Sequence, residues 1–101
     1  MAKKDRLPPI HPGEILREEF LAPLGMSSHA LALALRVPAT RINDIVNEKR
    51  GITAETALRL SRYFGTTSRF WMNMQASWEL EVAEDQLSRT VEREVFPRAA
   101  A

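Results

Sequence analysis

Residues 37–51 read VPATRINDIVNEKRG. Ile42, Ile45 and Val46 recur at helical spacing, which predicts a short helix entered through Pro38 with one apolar stripe. That stripe leaves Pro38, Ala39, Thr40, Arg41, Asn43, Asp44 and Asn47 along or near the other face. These side chains are short or polar, as suits a helix pressed into a DNA major groove about 12 Å wide. NEKRG closes the helix, with basic residues near the end where the helix dipole favours them. Just upstream, MSSHALALALRV predicts a second helix. Ser27 is a natural N-cap, Met26 can staple onto Leu31, and Leu31, Ala32 and Leu35 face inward. The two helices have the proportions of a helix-turn-helix. Ala32 is the small residue that a steep crossing needs, Val37 plugs the gap, and Ile42 and Ile45 lock onto Leu31 and Leu35. The turn falls at Arg36, where glycine is common because the backbone there often has positive φ. A non-glycine residue in that conformation costs about 1 kcal/mol, so Arg36 is either tolerated strain or the mark of a different turn.

Helical spacing continues on both sides, and no segment alternates in the manner of a strand. HPGE opens a first helix with Ile15, Leu16, Phe20 and Leu21 on one side and Arg17, Glu18 and Glu19 on the other. Pro23 and Gly25 end it. Thr53 caps a fourth helix, TAETALRLSRYFG, whose buried side includes Ala57, Leu60 and Phe64, with Gly65 after its end. Thr66 or Thr67 caps a fifth. There Phe70, Met74, Trp78 and Val82 repeat every four residues, flanked by Trp71 and Leu80, and the helix is expected to run to about Arg93, since nothing before Pro97 breaks it. The fold class is therefore all-α, with five helices. The closing FPRAAA is expected to be a mobile tail.

The chain has 101 residues, room for one domain with a modest core. It has no cysteine, and its only imidazoles are His11 and His29, so neither a disulfide framework nor a zinc site is expected. No glycine-rich phosphate loop, HExxH or convergent His/Asp/Ser set is present, so neither an enzyme nor a cofactor is expected. His11 in HPGE reads as part of a helix entry, and His29 as a surface residue. The N-terminus MAKKDRLPP has no apolar stretch behind its basic residues, and no run nears the roughly 20 apolar residues needed to span a bilayer. A cytoplasmic protein with no membrane partner is the expectation. The net charge of +1 is uneven: 0 over residues 1–35, +4 over 36–69 and −3 over 70–101. A basic middle and an acidic final third suggest two faces with different partners.

The segments HPGEIL (11–16), KRGIT (49–53), ALRL (57–60) and FWMNMQ (70–75) carry a resemblance that spans about residues 10–83. The chain resembles the HigA/VapI antidote branch of the Xre-type, phage-repressor-like helix-turn-helix superfamily. The resemblance implies a lambda-repressor-like DNA-binding domain over 11–83, between an N-terminal arm (1–10) and a C-terminal helix extension and tail (84–101). It implies a homodimeric antitoxin that binds double-stranded operator DNA in its own promoter and neutralises a HigB-like, mRNA-cleaving toxin. The alternative is a stand-alone Xre-type repressor without a toxin.

By the resemblance, Ala39, Thr40, Arg41, Asn43 and Asp44 lie where such proteins read base edges. Ala39 suits a thymine methyl, Thr40 donors or acceptors, Arg41 guanine or phosphate, and Asn43 adenine. Asp44 is repelled by phosphate, so it either accepts from cytosine N4 or salt-bridges a neighbour, and the salt bridge is the expectation. Pro38 and Asn47 complete the reading face. Ser27 and Ser28 offer hydroxyls and backbone N–H groups to a phosphate, and Lys49 and Arg50 are further phosphate anchors. The Phe70, Trp71, Met74, Trp78 group reads as core, with Trp78, Leu80 and Val82 chosen for the dimer interface. Glu14, Glu18 and Glu19 on the first helix are the chosen surface for a basic toxin.

Overall fold

The computed structural model describes residues 7–99. The readings made on residues 1–6 and on the last two residues of the tail lie outside the described residues. Five helices account for the fold, with no strand among the described residues. Helix α1 runs from Pro12 to Leu24, α2 covers Ser28–Leu35, α3 Ala39–Val46, α4 Ala54–Phe64 and α5 Ser68–Glu94. The pairs α2/α3 and α4/α5 pack most closely, while the start of α1 lies against both α3 and α5.

The ends of the helices follow from local chemistry. The hydroxyls of Ser27, Thr53 and Thr67 accept from the backbone N–H of Ala30, Thr56 and Phe70, so each is an N-cap. Thr67 rather than Thr66 caps α5. Thr66 is used differently, its Oγ1 accepting from the Trp71 indole at 2.8 Å. Gly25 and Gly65 take left-handed φ of 60° and 76° and stop α1 and α4.

Helix α1 is not uniform. Its centre, Leu16–Leu21, is a π-helical turn between α-helical Pro12–Ile15 and Ala22–Leu24. The Ala22 N–H reaches back five residues to the Arg17 carbonyl. Pro23 has no N–H to give, and in a regular helix its ring would strike the carbonyl four residues earlier. Widening the preceding turn relieves that conflict.

One core joins all five helices: Leu16, Leu31, Ile42, Ile45, Ala57, Leu60 and Trp71 are each inaccessible to solvent. Phe64 is half-buried against it rather than fully inside. The register of α5 departs from the expected stripe. Trp71 and Gln75 are the buried residues, Met74, Trp78 and Val82 are half-buried, and Phe70 is 38% exposed. Gln75 goes inside because the Ile52 N–H needs an acceptor, and the Gln75 Oε1 supplies it at 2.7 Å. Its Nε2 donates in turn to Glu79 at 2.7 Å. A stripe counted from apolar residues alone passes over such a glutamine.

His11 is the entry residue of α1 and lies almost fully buried. Its Nδ1 accepts from the Gly13 N–H at 2.8 Å, and its ring meets Trp78 edge-on at 4.7 Å. Burial holds the imidazole below its ordinary pKa, with Glu48 opposing that shift and Arg17 adding to it. The unfolded chain therefore binds a proton here more readily than the folded one. Stability from this group is fully present above about pH 6.5 and falls as the pH drops towards the lower folded value. Thermal melts between about pH 8 and pH 5 should show that loss, and His11→Asn, which keeps a capping acceptor, should flatten it. An unchanged slope in the variant would remove His11 from the account.

Candidate nucleic-acid interface

Helices α2 and α3 meet as the spacing predicts. Ala32 is 1% exposed at the crossing, and Val37 packs half-buried against the core. Arg36 has φ 62° and ψ 46°, so the turn is the left-handed one that favours glycine, built here with an arginine. The Val37 N–H bonds to the Ala32 carbonyl and the Arg36 N–H to that of Leu33, which closes α2. Arg36→Gly should relieve the strain and raise stability by about 1 kcal/mol. That is a rise in Tm of about 4–8 °C for a domain of this size, and a lower Tm would contradict it.

Helix α3 buries Ile42, Ile45 and Val46 and turns the rest outward. Pro38, Thr40, Asn43, Asn47, Lys49 and Arg50 are exposed, and Ala39, Arg41 and Asp44 are half-buried. The end of α3 has a second non-glycine left-handed residue, Glu48 at φ 63°. The Lys49 N–H bonds to the Asp44 carbonyl and the Glu48 N–H to that of Ile45, so the backbone turns sharply and presents Lys49 and Arg50 beside the helix. Arg17 of α1 secures this corner. Its guanidinium donates to the Val46 carbonyl and pairs with Glu48 at 3.4 Å.

Charged partners around α3 set the electrostatics of this face. Asp44 pairs with Arg50 at 3.4 Å, the salt bridge expected of it, which offsets its charge on α3. Arg41 does not lie loose along the helix. It pairs with Glu55 of α4 at 3.3 Å, and Glu55 also holds Arg59 at 3.1 Å. Arg59 donates to the Leu35 carbonyl at 2.9 Å, which ties the cluster back to α2. The Glu55 carboxyl is held below its usual range by the Arg59 hydrogen bond and by the charges of Arg41 and Arg59. Glu55 thus stands between the Arg41 and Arg59 guanidiniums where α3 meets α4. Ser27 spends its hydroxyl on the cap of α2, whereas the Ser28 hydroxyl donates to the Asn43 side-chain carbonyl at 2.6 Å.

Glu55, Arg59 and Arg17 are supporting residues that the sequence reading did not single out. Glu55 and Arg59 stand four apart, a visible helical ion pair. Their reach to Arg41 and Leu35, and that of Arg17 to Val46, spans 14, 24 and 29 residues and depends on the fold.

A helix-turn-helix family model matches residues 16–71, more than half of the chain. Virulence-associated protein I of Dichelobacter nodosus is 61% identical over 83 residues, covering 82% of this chain and 77% of its own length. The chain belongs to the HigA branch of the helix-turn-helix family. Within that branch it resembles the Pseudomonas aeruginosa antitoxin HigA solved with the higBA promoter, with TM-score 0.86 and 52% identity over 88% of this chain and 97% of that one. Antitoxin GraA in complex with its operator is similar too, with TM-score 0.87 and 45% identity over 93% and 95% of the two chains.

The surfaces chosen for protein partners lie apart from α3 in sequence, and the structure qualifies each. Glu18 pairs with Arg17 at 3.0 Å, so it offers less free charge than Glu19, which is also exposed, while Glu14 is half-buried. On α5, Leu80 is 60% exposed, but Trp78 is partly covered by His11 and Val82 is half-buried. Further along, Leu87 and Val91 are also exposed. Among the described residues no helix is long and apolar enough to cross a membrane.

Proposed function

We propose that this chain is the antitoxin of a type II toxin–antitoxin pair, which represses its own operon through α3 and neutralises a HigB-like, mRNA-cleaving toxin. The observation that carries the DNA-binding half of this reading is the row Thr40, Arg41, Asn43 and Asn47 on a helix-turn-helix, and the likeness to HigA antitoxins supports the toxin half. Two similar antitoxins have been solved on promoter or operator DNA. The reading residues are Pro38, Ala39, Thr40, Arg41, Asn43, Asp44 and Asn47, with Ser27, Ser28, Lys49 and Arg50 placed for the backbone. Asp44 acts through its pair with Arg50. The chain works in the cytoplasm as a binding protein, not an enzyme, with its DNA-binding domain over 11–83 and an extension after it.

One recognition helix gives little sequence-reading surface, so a two-fold dimer places two of them about 34 Å apart on one face of the duplex. Trp78, Leu80 and Val82 of α5 supply the dimer contact, and Leu87 and Val91 continue the exposed face that carries Leu80. The acids of α1, Glu14, Glu18 and Glu19, face a toxin whose RNA-binding surface is basic.

The reading is tested by placing the DNA upstream of this gene before a reporter and co-expressing the product of the adjoining gene. Repression together with rescued growth is the expected result. Repression without any rescue leaves a stand-alone repressor. Charge reversal at Glu14, Glu18 and Glu19 that keeps fold, DNA binding and rescue intact would move the toxin surface elsewhere.

A further inference from the structure

The contact between Ser28 and Asn43 joins the first turn of α2 to the outer face of α3. The Ser28 hydroxyl donates to the Asn43 Oδ1 at 2.6 Å. Ser28 is free to do this because Ser27, its neighbour, caps the helix by accepting from Ala30 at 3.0 Å.

An asparagine reads adenine by using both ends of its amide, Oδ1 accepting from N6 and Nδ2 donating to N7. Here Oδ1 already points at a serine. With one of the two Oδ1 lone pairs taken by the serine, the Nδ2 donors of the exposed Asn43 are the end of the amide left wholly to a base. Guanine presents two acceptors in the major groove, N7 and O6, and thymine presents O4. We propose that Ser28 is a positioning residue that sets the base preference of Asn43, turning it from an adenine reader into a donor for an acceptor edge, guanine or thymine. This rests on the reading of α3 as the DNA-reading helix. It also replaces the adenine preference expected of Asn43 from its residue type alone.

The experiment selects full-length protein against a pool of duplexes randomised across both half-sites and sequences the bound fraction. It compares wild type with Asn43→Ala, Ser28→Ala and Ser28→Thr, each checked for fold by circular dichroism. Wild type should prefer guanine or thymine at one position per half-site, and Asn43→Ala should lose that preference. The loss should be about 5- to 150-fold, the worth of one good base contact. Ser28→Ala should turn the same position towards adenine, and Ser28→Thr, which keeps the hydroxyl, should restore the wild-type choice. If Ser28→Ala keeps the wild-type base preference at that position, whether or not overall affinity falls, the positioning role is wrong. If wild type already selects adenine at that position, it is equally wrong. If neither Asn43→Ala nor any other α3 substitution changes the selected sequence, the reading of α3 fails beneath it, and that outcome is distinguishable from the others.

Discussion

Gly13→Ala should unfold this protein readily, although alanine is the better helix former. In an exposed helix the exchange gains about 1 kcal/mol. Here a Cβ on residue 13 would stand 1.7 Å from the Ile45 carbonyl oxygen and 2.8 Å from its carbon. Both sides of that contact are backbone, so no rotamer change relieves it, and α1 would have to move off α3. The move would also disturb the His11 cap and pull Arg17 from the Val46 carbonyl. Overpacking usually costs 1–3 kcal/mol, and a clash between two main chains belongs at or above the upper end, about 3 kcal/mol. Chemical denaturation of the variant beside wild type measures it. A variant within about 1 kcal/mol of wild type would show that α1 does not approach α3 so closely.

Trp71→Ala should be of similar severity, a loss of about 3–5 kcal/mol. Its ring is inaccessible to solvent, lies 5.0 Å from both Phe20 and Phe70, and donates from its indole to Thr66. Truncation would leave a large cavity and an unused hydroxyl where α1 meets α5. Phe70→Ala should cost clearly less, since Phe70 is 38% exposed. Equal losses for the two would contradict the register of α5 and favour the row through Phe70.

That register shows where sequence reading stops. Ser27, Thr53, Gly25 and Gly65 were legible because caps and left-handed stops are decided by the residue and its immediate neighbours. The helix-turn-helix was legible because Ala32, Val37, Ile42 and Ile45 must each fit one place in it. In α5 the apolar residues allow more than one row, and the choice between them was made by a polar side chain. Gln75 is inside because of a backbone N–H 23 residues away. The π turn in α1 likewise reflects a conflict at Pro23 that spacing alone does not register. In the interface, the outward row of α3 followed from its buried stripe. What holds that row did not, since Glu55 on Arg41 and Ser28 on Asn43 join helices that only the fold brings together.

The central claim is that α3 reads bases while the turn after it grips phosphate. Gel-shift titrations on the DNA upstream of this gene, at two salt concentrations, test it directly. Thr40→Ala or Arg41→Ala should weaken operator binding by about 1–3 kcal/mol and relax the preference at one base pair. Lys49→Ala should weaken binding to all sequences alike and reduce the salt slope by about 1. If both kinds of variant bind the operator as wild type does, with the same salt slope, then α3 is not the reading helix.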